Sequence, residues 1–274
     1  MKPISRNSLL VTRHPSPVTR YLFTFYLFTL LPLTALSWGA SGHRVIGEIT
    51  ESLLTEKTRK EVVAIFGNSS VAMMSVWGDT MRSDSTYNHT WLWHYTNLDS
   101  GLVRTAFDTI AIKQNSGENV YRVMELTAHL KRHPKDTNML KMLVHIVQDM
   151  HCPMHLARAE DLGGNQIKFR WFGRDSNLHS LWDDGFIDFQ KLSYTEYAHH
   201  LQRVHPLRKV VFKGDNADIL NWAWDTYQTT AIVYDSQPYL EKPYIYNFKY
   251  SPLLEKRLVT AAEHLAAILN YIYN

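Results

Sequence analysis

The chain has 274 residues, 45% of them hydrophobic, with 29 Lys and Arg against 26 Asp and Glu. This length fits one large domain with an ample core, and the near balance of charge gives no support to a basic nucleic-acid-binding tail. The single cysteine, Cys152, excludes an internal disulfide, so stability has to come from packing or from bound metal.

Residues 1–37 have the three-part layout of a secretory signal peptide. Four basic residues and no acidic one are spread along the segment, an apolar run covers 21–31, and small residues close it at Ser37. The alternative is a membrane anchor, but a span needs roughly 20 apolar residues, and this run is shorter and is followed by Pro32. We therefore expect cleavage before Trp38 and a periplasmic or secreted product that has no membrane association after cleavage.

The remainder, residues 38–274, has mostly helical periodicity, and we predict a single, mainly α domain. Ser41 is predicted to cap the first helix and Gly67 to end it. The predicted helices cover 42–66, 117–132, 137–151, 195–204, 216–233 and 252–272. The segment 165–177 alternates polar and apolar residues around Gly173 instead, which predicts one small β-hairpin.

Histidine is frequent, with 14 in the chain, and two histidines stand four residues before an aspartate. These pairs are His145 with Asp149 and His179 with Asp183, and His155 lies between them. An imidazole and a carboxylate one helical turn apart can bind the same metal ion, and zinc takes such ligands readily. One such pair would more often be a hydrogen-bonded core pair, but two of them with a third histidine between favour a zinc protein.

Trp38 would begin the chain once the leader is removed. Its free α-amine and its carbonyl oxygen can together chelate a metal ion, provided that the amine loses its proton. His43, on the first predicted helix, is placed to complete such a site. Asp79 in VWGDTMR and His94 in WLWHYTNLD are further candidate ligands.

Six motifs follow the leader in a fixed order: WGASGHRVIGEIT, WGDTMR, HYTNLD, HIVQDMHCPMH, GGN and NLHSLWD. Together they resemble the secreted zinc-dependent single-strand nucleases of the S1/P1 nuclease family, also called nuclease I or 3′-nucleotidases. The resemblance runs from Trp38 through Asp183, and the C-terminal helices are compatible with it. It implies the helical bundle that this family shares with bacterial zinc phospholipase C.

The resemblance also implies three bound zinc ions. The first would be held by Asp79, His94, His145 and Asp149, the second by His155, His179 and Asp183, and the third by Trp38 and His43. Asp149 would bridge the first ion to the third. Two further residues stand among these ligands: we interpret His151 as a supporting or packing residue and Cys152 as a small buried residue, neither of them a ligand.

The implied reaction is hydrolysis of single-stranded DNA and RNA to 5′-phosphate products, together with 3′-nucleotidase activity, by water that zinc activates. Asp149 would place the metals and Arg82 would face the scissile phosphate. Asn97 stands where the family commonly has Asp and is expected to orient Arg82 or the phosphate by hydrogen bonding. Asn165 would contact a base edge and Tyr95 would stack on a base, although ordinary turn formation and packing are alternatives for these two residues.

Two other functions fit part of the pattern. A zinc phospholipase C-like phosphodiesterase shares the zinc-binding residues, but its second histidine–carboxylate pair usually ends in Glu, whereas this chain has Asp183. A non-catalytic periplasmic zinc-binding protein would close its coordination shells, whereas the three-ligand second site leaves a position open. The expected partners are single-stranded nucleic acids and 3′-nucleotides, and no protein partner is implied.

Overall fold

The computed structural model describes residues 38–114 and 117–274, and the predicted leader lies outside these ranges. The described residues fall within one compact unit. They are mostly helical, which confirms the mainly α class. The α-helices are α1 (Ala40–Leu53), α2 (Glu56–Ile65), α3 (Val71–Met74), α4 (Trp77–Met81), α5 (Arg104–Ile110), α6 (Asn119–Arg132), α7 (Thr137–Asp149), α8 (Leu178–Ser180), α9 (Phe186–Asp188), α10 (Tyr194–Val204), α11 (Asn216–Asp235) and α12 (Pro243–Tyr273). The 3₁₀ segments are Ser85–His94, Pro153–His155, Ala159–Asp161 and Gln237–Tyr239, and Leu181–Gly185 forms a π-helical turn.

The first predicted helix, 42–66, is in fact two helices, α1 and α2. The chain becomes extended at Leu54, and the side chain of Thr55 then caps α2 by accepting a hydrogen bond from the Thr58 amide. The prediction of Ser41 as the N-cap is also wrong, because α1 already begins at Ala40 without any side-chain cap. Gly67, which has a φ of 64°, follows the end of α2 as predicted.

The last helix begins nine residues before its predicted start, and Pro252 lies inside it. A proline inside a helix removes one backbone hydrogen bond, so the sequence favoured a start at this residue. Burial outweighs this loss, because Tyr246 before the proline and Leu254 after it are both fully buried. The helix therefore has buried side chains on both sides of the proline and continues through it.

The predicted hairpin is confirmed. The strands β1 (Lys168–Trp171) and β2 (Arg174–Asn177) pair antiparallel, with Lys168 opposite Asn177 and Trp171 opposite Arg174. Phe172 and Gly173 form the turn with φ values of 48° and 77°, as a two-residue hairpin turn requires.

Two clusters of buried apolar side chains form the core. One contains the inner faces of α6 and α7 and the C-terminal part of α12, and the other surrounds α1, the hairpin, α10 and the earlier part of α12. The chain passes from the first cluster to the second just after Asp149, between Met150 and Cys152. The segment richest in predicted ligands therefore lies where the two clusters meet, and no helix among the described residues has the length and apolar character needed to cross a bilayer.

Candidate metal centre

The first histidine–aspartate pair lies at the C-terminal end of α7. His145 and Asp149 are both fully buried, and His145 Nε2 is 3.2 Å from Asp149 Oδ2. His94, at the end of a 3₁₀ segment, places its Nδ1 3.1 Å from the same carboxylate oxygen and 3.0 Å from His145 Nε2. Asp79, on α4, has Oδ1 3.6 Å from His145 Nε2. The structure thus brings together the four residues predicted for the first ion.

His43 reaches the same carboxylate from α1. Its Nε2 is 3.4 Å from Asp149 Oδ1, and its ring stacks on that of His145 with 4.2 Å between the ring centroids. Asp149 therefore presents one oxygen to His43 and the other to His94 and His145, as a bridging ligand would. Trp38 is fully buried, and the next residue, Gly39, donates its amide to the Asp183 carbonyl at 2.8 Å.

The second pair lies after the hairpin, on α8 and the π-helical turn. His179 Nε2 is 3.0 Å from Asp183 Oδ2, and His155 Nε2 is 3.5 Å from Asp183 Oδ1. Cys152 also belongs to this group: it is fully buried and its Sγ lies 3.4 Å from Asp183 Oδ1. The sequence predicted Cys152 to be small and buried, and the structure adds that its sulfur is within reach of the second site.

The imidazole rings are oriented by oxygen acceptors at Nδ1. His145 contacts the Ser75 carbonyl at 2.7 Å, His155 the His94 carbonyl at 2.6 Å and His179 the Gly163 carbonyl at 2.7 Å. A carbonyl oxygen only accepts, so each Nδ1 carries the proton and each Nε2 faces the carboxylates. His94 has the opposite orientation, because its Nδ1 faces Asp149.

The electrostatics of the centre follow from histidines and carboxylates that are buried together. Burial opposes protonation of His145, but the charges of Asp149 and Asp79 outweigh it and raise the pKa of His145 to about 9. In the same way, the carboxylates of Asp149 and Asp183 outweigh burial and raise the pKa of His155 to about 9. Burial would raise the pKa of Asp149, yet the neighbouring His145 and His155 hold it well below its usual range.

These contacts show that the centre needs positive charge between its ligand atoms. With Nδ1 protonated, a neutral ring directs the lone pair of Nε2 at a carboxylate oxygen, so acceptors face acceptors unless a cation or a proton lies between them. In the part of the chain that the structure describes, His94 Nε2, His155 Nε2 and Asp183 Oδ2 are buried without a hydrogen-bond partner. Among the described residues, three groups of ligand atoms lie within 4.8 Å of one another: His43, His145 and Asp149; Asp79, His94 and His145; Cys152, His155 and Asp183. The donor sets therefore fit metal ions.

The residues predicted to contact the substrate differ in their surroundings. Arg82 Nη1 is 3.8 Å from Asp79 Oδ1, and its guanidinium lies 5.1 Å from the centroid of the Trp91 ring. Tyr95 is half-buried, which raises the pKa of its hydroxyl. Asn97 is also half-buried, and its role stays a prediction. Asn165 donates to the Leu162 carbonyl at 2.8 Å, which is the turn-forming role given as its alternative.

Gln148 supports the centre and was not predicted. Its backbone carbonyl accepts from the Trp38 indole at 2.9 Å, and its side-chain oxygen lies 2.7 Å from His43 Nδ1. Its amide nitrogen donates to Ser75 Oγ at 2.8 Å, beside the carbonyl that orients His145. The only signal in the sequence was its position directly before Asp149, which does not distinguish a positioning residue from a core residue.

Two glycines and one carboxylate beside the ligands were also missed. A Cβ at Gly78 would lie 2.6 Å from His145 Cδ2, so only glycine lets α4 approach this ring so closely. A Cβ at Gly39 would lie 1.3 Å from Asp184 Oδ1, so the Asp184 carboxylate fills the space beside the residue after Trp38. Burial, followed by the charges of Asp183 and other carboxylates, raises the pKa of Asp184 to about 7.

Comparisons with known proteins agree with this geometry. The family model described as S1/P1 Nuclease matches residues 38–274. Endonuclease 3 of Arabidopsis thaliana is 25% identical over 93% of this chain and 95% of its own length, and Nuclease S1 of Aspergillus oryzae is 25% identical over 89% and 97%. Nuclease P1 of Penicillium citrinum is 26% identical over 53% of this chain and 57% of its own length. The chain thus belongs to the S1/P1 nuclease family and is a nuclease.

Proposed function

We propose that this nuclease requires three zinc ions and cleaves single-stranded DNA and RNA to 5′-phosphate products, with 3′-nucleotidase activity in addition. The observation that carries the proposal is the set of buried imidazole nitrogens and carboxylate oxygens that face one another around Asp149 and Asp183. Zinc suits nitrogen and oxygen donors of this kind, whereas magnesium and calcium prefer oxygen alone.

Bound zinc would lower the pKa of a coordinated water to about 7 and neutralise charge on the phosphoryl group. The protein supplies the positioning. The carbonyl oxygens of Ser75, His94 and Gly163 fix the rings of His145, His155 and His179. Arg82, whose side chain is 19% exposed, combines a fixed position near Asp79 with access to a phosphate. Its planar guanidinium suits the charge that develops on phosphate oxygens.

The burial of the ligands supports the proposed preference for single strands. His145 and Asp149 are fully buried and His94 is 4% exposed. A phosphate therefore reaches these ligands only when the nucleic-acid strand on either side of the phosphate bends. A single strand bends and unstacks its bases more readily than a duplex. Trp91, which is 43% exposed and stacks on Arg82, offers an aromatic face to an unstacked base.

We also propose that the product is exported and that residues 1–37 are removed. Trp38 is held by its indole against Gln148, and its neighbour Gly39 is hydrogen-bonded to the carbonyl of the ligand Asp183. Removal of the leader would therefore create an α-amine on a residue that contacts the backbone next to Asp149 and lies next to the residue bonded to Asp183. With His43 and Asp149 it would complete the third site.

The test compares the leader-free, zinc-loaded protein with two matched variants. Metal content and cleavage of single-stranded DNA, duplex DNA, RNA and 3′-AMP are measured for the unaltered protein, for His155→Gln and for His200→Gln, whose histidine is exposed on α10. We expect three zinc ions, cleavage of single strands over duplex and loss of at least ~100-fold in activity in His155→Gln alone. A metal-free protein of full activity, or hydrolysis of a phosphatidylcholine analogue instead of nucleic acid, would contradict the proposal.

A further inference from the structure

A cavity of about 500 Å³ is lined by none of the predicted ligands, but its lining includes Ala157 and Arg158, which follow the ligand His155 by two and three residues. Its walls are the loop 100–104, the two residues Ala157 and Arg158, and one face of α11. A volume of this size is sufficient for a small organic group such as a nucleotide base with its sugar.

The wall is aromatic and cationic. Trp224 and Tyr227 stack on each other on α11, with 5.4 Å between ring centroids, and both are partly exposed. The guanidinium of Arg158 lies 4.0 Å from the centroid of the Tyr234 ring, and Arg104 completes the cationic side. None of the described lining residues is acidic. Aromatic faces bind bases by stacking and guanidinium groups bind phosphates, so the cavity suits a nucleotide.

The two arginines differ in how closely each is paired with an acidic side chain. Arg104 is paired with Asp108 at 2.7 Å, so its charge is largely neutralised within the protein. Within residues 38–114 and 117–274, the ion pair of Arg158 is with the exposed Glu160 at 3.8 Å, which is a weak pair in water. Arg158 is therefore the cation available to an incoming phosphate.

The cavity is connected to the metal centre by two extended segments that lie side by side. The amide of Thr96 donates to the His155 carbonyl and the amide of Leu98 donates to the Ala157 carbonyl, each at 2.8 Å. Both segments begin at a predicted ligand, His94 or His155. Arg158 is three residues beyond His155, so their backbones are at most roughly 11 Å apart. A strand bound at the centre needs to extend by only a short distance to reach the cavity.

The cavity also has a fixed position relative to the centre. Thr230 on α11 donates its hydroxyl to the Pro153 carbonyl at 2.8 Å, and the same oxygen lies 3.2 Å from the Leu156 carbonyl, so it contacts the backbone on either side of His155. Tyr227 accepts from the Leu102 amide at 2.8 Å and donates to the Asp99 carbonyl at 2.7 Å, which holds the loop 100–104 against α11. A nucleotide in the cavity would thus be held at a constant distance from the reacting phosphate.

We propose that this cavity is a subsite for a further nucleotide of a single-stranded substrate, next to the metal centre. Arg158 binds a backbone phosphate and the faces of Trp224 and Tyr227 receive a base. The inference rests on the proposed function, and it adds that long single strands bind better than substrates too short to reach the cavity.

The experiment measures kcat and KM of the zinc-loaded protein on a ten-nucleotide single strand and on 3′-AMP. Two variants alter the cavity, Arg158→Gln and Gln228→Glu; the second adds a negative charge at an exposed position of the wall and leaves the packed aromatic residues intact. Arg203→Gln, an exposed arginine on α10, is the matched control. Thermal melting confirms that each variant is folded.

We expect KM for the ten-nucleotide strand to rise roughly 5- to 50-fold in both cavity variants, with 3′-AMP hydrolysis within about twofold of the unaltered protein. For the ten-nucleotide strand, log(kcat/KM) decreases as log salt increases. In Arg158→Gln this decrease should be less steep by about 0.7, the value for one phosphate contact on a single strand. Equal effects on both substrates, or no effect on the strand, would overturn the subsite. Failure of the unaltered protein to hydrolyse either substrate would instead overturn the proposed function.

Discussion

Replacing Gly78 by alanine tests whether the position of the His145 ring governs the centre. The new Cβ would stand 2.6 Å from His145 Cδ2 and 2.7 Å from Cγ, whereas ordinary contacts begin at 3.4 Å, so ring or helix has to move by about 0.8 Å. The ring cannot yield freely, because it is hydrogen-bonded to the Ser75 carbonyl and stacked on His43. The strain of such overpacking costs about 1–3 kcal/mol, and alanine recovers up to ~1 kcal/mol of helix propensity.

The effect on function should exceed the effect on stability. A displacement of about 1 Å in a catalytic group lowers the rate by roughly 100-fold, and we expect a loss of this size in kcat/KM on a single-stranded oligonucleotide. Metal content, measured by mass spectrometry after gel filtration, should fall as well. Gly185→Ala is the matched control: its glycine is also helical, and the new Cβ would meet its nearest neighbour at 3.6 Å. Full metal content and activity within about twofold in Gly78→Ala would refute the reasoning.

Four further predictions concern the same centre. Asp149→Asn should remove two metal ions together and lower activity by more than ~100-fold, whereas loss of a single ion with near-normal activity would show that Asp149 does not bridge. One extra residue before Trp38 in the leader-free protein should cost one metal ion and most activity, and an unchanged metal count would contradict the amine as a ligand. In the metal-free protein the pKa values of His145 and His155 are raised to about 9, so their stabilising contribution is complete below about pH 6.5 and is lost towards pH 9. The melting temperature without metal should therefore fall across that interval, and a rise would contradict the assignment. The thiol of Cys152 is fully buried and burial raises its pKa well above the usual value, so a thiol reagent should label it only after unfolding.

Much of the fold could be predicted because helical periodicity reflects burial on one face. The helices α6, α7, α10 and α11 lie within about two residues of their predicted bounds, and both strands of the hairpin lie inside the predicted segment 165–177. The break at Leu54 was missed because this residue is apolar and continues the pattern, while the capping of α2 depends on one polar residue, Thr55. The early start of α12 was missed because the stability of a helix around Pro252 depends on tertiary burial, which spacing does not reveal.

In the candidate site, too, the sequence predicts some contacts and does not signal others. Spacing alone places His145 beside Asp149 and His179 beside Asp183, because each pair is one helical turn apart. The approach of His43 to Asp149 joins residues 106 positions apart, and its prediction depended on resemblance to a family rather than on local pattern. The contacts of Gln148 with Trp38 and His43 span a similar distance, and no motif in the sequence signals them.

The main-chain carbonyls that accept from His145, His155 and His179 have a consequence for how the protein gains and loses its ions. Since the peptide backbone sets which nitrogen of each ring faces the carboxylates, the coordinating Nε2 atoms are already in position before any ion arrives, and binding has only to displace a proton from them. Chelation should then empty the protein without unfolding it, and readdition of the ion should restore activity without a refolding step. In this respect the chain would differ from small zinc domains, whose folding depends on their metal.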